Sequence, residues 1–321
     1  MKKRIPIIAI VGPTCVGKTD ISVKIALILN SEIINVDSRQ IYKFMNIGTA
    51  KPSSKILSLV KHHLIDIIYP DEYFSAGKYG TKARKVIFSL FQKDMIPLLV
   101  GGSGLYLSAI IYGLFEGPQA DHKLRKTFTE YANHFGKESL HTRLKKIDPE
   151  SANRIHPMDI MRVIRALEVY EKTGKPISYF QVNFSLEKIS YIPIIIGLEK
   201  DRKDLYKRIE SRVDLMIGEG LVDEVKRLLD MGYSEELHSM MGIGYKQIIS
   251  FLKGKHDLDK AISLIKRDTK RYAKRQITWF KKVENIKWIN LTDNLEEDVN
   301  TILDFINTNL DRIKLKKIKK L

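Results

Sequence analysis

The stretch IPIIAIVGPTCVGKTD, residues 5–20, decides the fold of this 321-residue chain. Its apolar run from Ile5 to Val11 has the length of a buried parallel strand. The run leads directly into GPTCVGKT at 12–19, which fits the phosphate-loop pattern G-x-x-x-x-G-K-[ST]. Apolar residues at helical spacing follow up to Asn30. A strand, a glycine loop and a helix in this order predict an α/β fold of the P-loop NTPase type, with a parallel sheet flanked by helices.

The glycine loop itself predicts a phosphate site. Glycines let backbone N–H groups point inward at a phosphate, and the helix beginning near Lys18 adds its positive end. Lys18 supplies a cation, and the Thr19 hydroxyl is a candidate Mg²⁺ ligand. The pattern indicates a bound polyphosphate or diphosphate and does not indicate which bond breaks. The candidate diphosphate-binding residues are Gly12, Pro13, Thr14, Cys15, Val16, Gly17, Lys18 and Thr19.

Composition narrows the class of protein. Hydrophobic residues make up 44% of the chain, which supports a real core, and the length favours two domains. The net charge of +17 predicts a polyanionic partner such as nucleic acid, although a Lys-rich proteome would produce the same bias. No run of 18 apolar residues occurs, so we expect a cytoplasmic protein without a membrane span. The single cysteine, Cys15, excludes an intrachain disulfide and a Cys-based zinc site.

Two further features are expected near the phosphate loop. A second strand, 32–36, ends at Asp37, and a third, 97–100, opens into the glycine-rich sequence GGSGLY at 101–106. Because ligands of α/β sheets bind at the carboxyl ends of the strands, we expect Asp37 to face the same crevice as Lys18. Asp37 could instead be a helix N-cap or a magnesium residue, and a lone glycine loop is a weak signal.

The middle and the end of the chain have a different character. Strand-like runs vanish between Phe115 and about residue 190, which predicts a helical insertion at 117–190 in a core formed by 1–116 and 191–321. Arg162 and Arg165 lie one helical turn apart. Their spacing fits either a pair that faces RNA or a solvated charged face. The segment 266–282 holds eight basic residues and one acid among aromatic residues, which suits a nucleic-acid backbone. The basic end, 314–321, is expected to be a solvated tail.

Two mechanisms fit one crevice with a phosphate loop and a carboxylate. In the first, a kinase transfers the γ-phosphoryl group of ATP to a small hydroxyl, with Asp37 as base. In the second, diphosphate leaves a carbon centre and the acceptor belongs to a nucleic acid. The charge of +17 favours the second. A noncatalytic RNA-binding protein is a third alternative, against which the intact Lys18, Thr19 and Asp37 argue.

Taken together, the motifs resemble those of the bacterial tRNA dimethylallyltransferase (tRNA isopentenyltransferase) family. The resemblance spans residues 5 to about 290, and its order and spacing are far more specific than the phosphate loop alone. The matching stretches are GPTCVGKT at 12–19, DSRQIY at 37–42, IGTAKP at 47–52, GGSGLY at 101–106, DPESANRIHPMD at 148–159, RVIRALEVY at 162–170, IGYK at 243–246 and KRQITWF at 274–280.

The resemblance implies a reaction and roles for residues. A dimethylallyl group would pass from dimethylallyl diphosphate to N6 of the adenosine 3′ of the anticodon, with Mg²⁺ assisting and diphosphate leaving. Asp37 would be the base, and Lys18 and Arg212 would stabilise the diphosphate. The enzyme would turn the target base into a channel. The sequence leaves the oligomeric state open, and we expect a monomer. The candidate tRNA-binding residues are Asp37, Ser38, Arg39, Gln40, Ser103, Arg162, Val163, Ile164, Arg165, Ala166, Lys274, Arg275 and Gln276.

Overall fold

A parallel sheet forms the centre of the computed structural model, which describes residues 4–115, 117–182 and 191–318. Among these residues, six strands pair in the order β3-β2-β4-β1-β5-β6, and each pair is parallel. The prediction of a P-loop-type α/β sheet is therefore confirmed. The strands are β1 (Ile5–Val11), β2 (Ile33–Val36), β3 (His62–His63), β4 (Leu98–Gly101), β5 (Tyr191–Glu199) and β6 (Ile286–Asn290).

Fourteen helices lie in the described residues. Those before the insertion are α1 (Lys18–Ile28), α2 (Ser54–Leu59), α3 (Ala76–Gln92) and α4 (Gly104–Ile111). Those within it are α5 (His122–Phe135), α6 (Lys137–Ile147), α7 (Pro149–Arg154), α8 (Ile160–Thr173) and α9 (Ile177–Val182). Those after it are α10 (Arg202–Gly218), α11 (Leu221–Asp230), α12 (Tyr245–Leu252), α13 (Leu258–Phe280) and α14 (Leu295–Ile318).

Strand β1 is buried on both faces because helices cover both sides of the parallel sheet. Alternate side chains of a strand point to opposite faces. Ile7 and Ala9 accordingly pack in one apolar core, and Ile8 and Ile10 pack in a second. This arrangement explains why the strand reads as a continuous apolar run rather than an alternating one.

The register brings three loops to one edge of the sheet. Val11 at the end of β1 pairs with Gly101 at the end of β4, and Val36 at the end of β2 pairs with the same glycine. The segments that follow these strands therefore start side by side. This edge, at the carboxyl ends of the strands, is where α/β sheets bind ligands.

The chain divides into two compact units, Met1–Ile111 with Ser190–Leu321, and Tyr112–Ile189. The second unit has an apolar core of its own, in which Leu140, Leu144 and Leu167 are fully buried. The boundaries of the insertion, 117–190, stay a prediction, because residues 116 and 190 lie outside the described residues.

Two local features complete the description of the backbone. Strand β3 is limited to His62–His63, since Leu64 and Asp66 adopt φ of 65° and 54° and bend the chain. The backbone of 314–318 belongs to α14. Residues 319–321 of the expected basic tail lie outside the described residues.

Candidate functional site

The phosphate loop connects β1 to α1, as its sequence predicts. Gly17 caps α1 with a left-handed backbone (φ 112°), and Val16 is fully buried in the core beneath the loop. The Lys18 Nζ donates hydrogen bonds to the carbonyls of Gly12 (3.0 Å) and Pro13 (2.7 Å). Burial lowers the pKa of Lys18 to about 8, although the Asp37 carboxylate acts in the opposite direction. The loop thus holds a cation that is weakly solvated and ready to pair with an anion.

A cavity of about 590 Å³ opens beside the phosphate loop. This volume is in the range of small-molecule sites. Thr14, Lys18 and Thr19 line it together with Asp37 and Arg212. The structure therefore brings together the three predicted catalytic residues, which are separated by up to 194 positions in sequence (212 − 18).

Asp37 follows β2 and is fixed by its own turn. Its Oδ1 accepts hydrogen bonds from the N–H groups of Arg39 (2.7 Å) and Gln40 (3.3 Å). The N–H of Ser38, the residue directly after Asp37, donates to the Oγ of Ser103 at 3.0 Å. Ser103 belongs to the second glycine loop, so this loop supports the turn that carries Asp37.

Two other residues contribute to the electrostatics of the cavity. Arg212 projects from α10 and lowers the pKa of Lys18, which places two cations near one another. Tyr272 of α13 also lines the cavity. Burial, more than the neighbouring Asp37, raises the pKa of Tyr272 to about 12, so its hydroxyl stays protonated at neutral pH. Cations outnumber carboxylates on the cavity wall, which suits a diphosphate beside a proton acceptor. The Lys and Arg residues that line it are Lys18, Arg39, Lys51, Arg212, Lys246 and Arg275, and the carboxylates are Asp20 and Asp37.

The basic face of α13 is partly consumed by ion pairs. Lys266 lies 2.7 Å from Asp214, and Lys270 pairs with Glu210, so this row of lysines attaches α13 to α10. Lys274 is exposed, and Arg275 lines the cavity. Lys266 and Lys270 are therefore used in contacts within the protein, whereas Arg271 and Lys274 keep exposed side chains.

Gln276 occupies a different environment from the exposed position expected of a tRNA contact. Its side chain is buried and forms hydrogen bonds with the phosphate loop and the second glycine loop. Its amide is thus already used within the protein.

The five candidate tRNA residues of α8 separate into core and surface. Val163, Ile164 and Ala166 are buried because they form the apolar stripe that packs into the core of their unit. The expectation that these three side chains face tRNA does not fit that burial. Arg165 donates to the fully buried Glu168 at 2.5 Å, while Arg162 keeps a side chain that is 71% exposed. Of the five, Arg162 has the exposure that an RNA contact needs.

The wall of the cavity includes residues for which the sequence indicated no role. The motifs at 47–52 and 243–246 both line it. They are joined by Glu224, whose carboxylate accepts hydrogen bonds from the N–H groups of Asn46, Ile47 and Gly48 and from the Tyr245 hydroxyl. A buried acid in the first turns of a helix looks like a dipole partner in sequence, so no pattern could have identified this role.

A metal ion would have few protein ligands here. Across the described ranges, no group of three or more His, Cys, Asp or Glu side chains could hold one. Mg²⁺ at phosphate sites needs only one or two protein ligands, with phosphate oxygens and water completing the octahedron. Thr19 and Asp37 both line the cavity, which fits this kind of site. In the described part of the chain, no helix has the length and apolar character of a membrane span.

The comparisons with known proteins agree with this geometry. The family model described as IPP transferase matches residues 40–283. The tRNA dimethylallyltransferase of Natranaerobius thermophilus is 48% identical, covering 94% of this chain and 91% of the relative. That of Clostridioides difficile is 46% identical, covering 96% of this chain and 99% of the relative.

Solved structures give the same result. The full-length tRNA isopentenylpyrophosphate transferase of Bacillus halodurans superposes with a TM-score of 0.74 at 41% identity, covering 98% of this chain and 100% of that chain. A eukaryotic dimethylallyltransferase acting on tRNA superposes with a TM-score of 0.78 at 28% identity, covering 97% and 80%. These proteins are prenyltransferases by name, which supports the transferase prediction and not the kinase alternative. The chain belongs to the IPP transferase family, that of the tRNA dimethylallyltransferases.

Proposed function

We propose that this chain transfers the dimethylallyl group of dimethylallyl diphosphate to N6 of the adenosine 3′ of the anticodon in tRNA, releasing diphosphate. The observation that carries the proposal is the placement of Lys18, Arg212 and Asp37 on one cavity. Relatives named tRNA dimethylallyltransferase, similar over nine tenths of the chain, support it. Family members bind a polyanion, which agrees with the net charge of +17.

The phosphate loop and Arg212 would hold the diphosphate. In the described structure Lys18 donates to two carbonyls of its own loop, and an incoming diphosphate offers stronger, anionic acceptors. As the bond between carbon and oxygen breaks, negative charge builds on the departing diphosphate. Cations already in place stabilise that charge without reorganisation, which lowers the barrier.

Asp37 would act as the general base. The N6 lone pair is delocalised into the purine, so the amine becomes a useful nucleophile only as it loses a proton. The turn bonds to Oδ1 hold the carboxylate in one orientation on the cavity wall. A carboxylate held this way can accept the proton without first paying the entropy of ordering its side chain.

Mg²⁺ fits the site as an ion shared between the protein and the diphosphate, with Thr19 as the protein ligand. When bound, it would add positive charge at the diphosphate oxygens. The remaining contribution of the chain is the cavity itself, which shields the reacting carbon from water.

The tRNA would be held by exposed basic side chains. Arg162 in the helical unit and Lys274 on α13 are exposed, and Arg39 lies beside Asp37 in the predicted base-facing segment. We further propose that the chain acts as a monomer.

The two arginines of α8 offer a test of the tRNA contact. Because Arg165 is tied to Glu168, Arg165→Ala should lower the melting temperature, whereas Arg162→Ala should weaken binding of a labelled anticodon stem-loop. Equal tRNA affinity of Arg162→Ala and the parent protein would contradict the contact.

A direct experiment tests the activity. Unmodified tRNA is incubated with the protein, Mg²⁺ and dimethylallyl diphosphate, digested to nucleosides and weighed by mass spectrometry. We expect a prenylated adenosine at the position 3′ of the anticodon and none in a tRNA with guanosine there. Release of γ-phosphate from ATP without RNA, together with unmodified tRNA, would instead favour a kinase and would contradict the proposal.

A further inference from the structure

Gln276 connects the two glycine loops at the edge of the sheet. Its Oε1 accepts a hydrogen bond from the Thr14 N–H of the phosphate loop at 2.9 Å. Its Nε2 donates to the Gly102 carbonyl of the second glycine loop at 2.9 Å. The residue is 6% exposed, so neither bond is readily exchanged for water. One side chain of α13 therefore ties both loops together.

The orientation of this amide follows from its partners. A backbone N–H can only donate, and a backbone carbonyl can only accept. Rotating the amide by half a turn would oppose two donors at Thr14 and two acceptors at Gly102. A carboxylate or an apolar group cannot make both bonds at neutral pH, whereas an amide supplies the acceptor and the donor on separate atoms.

The glycines of the second loop provide independent support. A Cβ added at Gly102 would lie 2.1 Å from the Gln276 Nε2, and one added at Gly104 would lie 2.2 Å from the Trp279 ring. Contacts this short do not occur between real atoms, so α13 reaches its place only because both positions lack a side chain. The approach of α13 thus explains Gly102 and Gly104, whereas a Cβ at Gly101 would meet the backbone of Val36 in β2.

The Thr14 N–H therefore donates its hydrogen bond within the protein, to Gln276, and not to a ligand. In a phosphate loop, N–H groups are expected to point at the ligand. Here the N–H of Thr14 is used to set the shape of the loop, while Lys18 and Thr19 of the same loop line the cavity. The geometry of the diphosphate site then depends on a residue that lies 262 positions away in sequence.

We propose that Gln276 is a positioning residue for the diphosphate, and that it acts on the phosphate loop rather than on tRNA. The inference rests on the proposed function in naming dimethylallyl diphosphate as the ligand, but the first test uses inorganic pyrophosphate alone. Failure of the activity and failure of the inference are therefore distinguishable.

The first experiment compares Gln276→Met with the parent protein. Met has a similar length and forms neither hydrogen bond. Loss of two buried partners should weaken pyrophosphate binding in calorimetry by about tenfold or more and should raise the KM for dimethylallyl diphosphate. The KM for tRNA and the affinity for a stem-loop should stay unchanged. Thr278→Ala, an exposed position on the same helix, is the matched control and should bind pyrophosphate like the parent.

The second experiment uses protonation to restore the amide pattern. In Gln276→Glu, the carboxylate should repel the Gly102 carbonyl, whereas the protonated acid can donate to it and still accept from Thr14. Its pyrophosphate affinity, divided by that of the parent at the same pH, should rise about fivefold from about pH 8 to about pH 5. The division cancels the effect of pH on the other ionisable groups of the cavity, which both proteins share. These are Cys15, Lys18, Asp20, Asp37, Arg39, Lys51, His62, Arg212, Tyr245, Lys246, Tyr272 and Arg275.

The two variants separate the inference from its alternatives. If simple repulsion between a carboxylate and pyrophosphate were responsible, Gln276→Met would bind normally, and the inference would be overturned. If Gln276 contacted tRNA, the KM for tRNA would rise instead of that for the diphosphate. Should Gln276→Met fail to fold, Gly102→Ala decides the question, since its added methyl group displaces the amide and should reproduce the loss of pyrophosphate affinity.

Discussion

Two glycine loops lie side by side at the edge of the sheet, and their glycines serve different purposes. The phosphate loop lines the cavity and carries Lys18, whose pKa is lowered by burial. The second loop carries Ser103, which supports the turn of Asp37, and glycines that make room for Gln276 and Trp279. In the phosphate loop, Gly12 and Gly17 adopt φ of 153° and 112°, and a Cβ at Gly12 would lie 2.6 Å from the Leu198 carbonyl oxygen of β5. In the second loop, Gly102 and Gly104 are instead required by the approach of α13. What lies within reach of the missing Cβ distinguishes them.

The largest effect is expected at the carboxylate between the two loops. Asp37→Asn keeps the shape of the turn but cannot accept the proton, so the rate of transfer should fall about 10²–10⁴-fold. Single-turnover prenylation measures the rate, and a stem-loop binding assay should give a nearly unchanged affinity. Parent-like turnover in this variant would remove Asp37 from the chemistry and leave it as a turn residue.

The next effect concerns the cation of the phosphate loop. Lys18→Met removes a charge that the cavity holds for the ligand, and we expect the affinity for pyrophosphate to fall by about tenfold or more. Leu105→Ala is the matched change beside the second loop, at an exposed side chain, and should not alter binding. Calorimetry on both variants tests the comparison directly. Equal losses from the two would mean that the loops do not differ in function.

A substitution in the second loop should lower the stability of the fold through a steric clash, instead of removing a group that binds the ligand. In Gly104→Ala the added methyl group would overlap the Trp279 ring and push α13 outward, at a cost of about 1–3 kcal/mol in the free energy of unfolding. Denaturant titration measures this cost. A variant as stable as the parent would show that α13 yields easily and would weaken the explanation of the glycines.

The smallest effect is a dependence of binding on pH. With a pKa of about 8, Lys18 is cationic below that pH and neutral above it. Pyrophosphate affinity should therefore decrease as the pH rises, by up to about tenfold between about pH 7 and about pH 9. Lys18→Met serves as the control, because it retains the titration of pyrophosphate itself. An identical pH profile for the parent and Lys18→Met would contradict the role of the ammonium group.

The fold was largely predictable because its signals are local. The apolar run at 5–11, the glycine loop and the helical spacing after it lie within one stretch, and each follows from backbone sterics and burial. The bend at Leu64 and Asp66 was not predictable, since left-handed φ at residues other than glycine reflects the surroundings. The same holds for α8, where periodicity could identify the apolar stripe but not that Arg165 would be tied to Glu168.

The sequence by itself determined the phosphate loop, the order of strands and helices, the carboxylate after β2 and, through its motifs, the family. Only the tertiary structure decided which polar groups remain available to a ligand. It pairs Lys270 with Glu210, buries Gln276 between two loops and joins distant motifs through Glu224. The physical reason is that the local sequence around a charge or an amide does not fix its hydrogen-bonding partner. That partner is whichever group folding brings within hydrogen-bonding distance, and for Gln276 it lies 262 residues away, at Thr14.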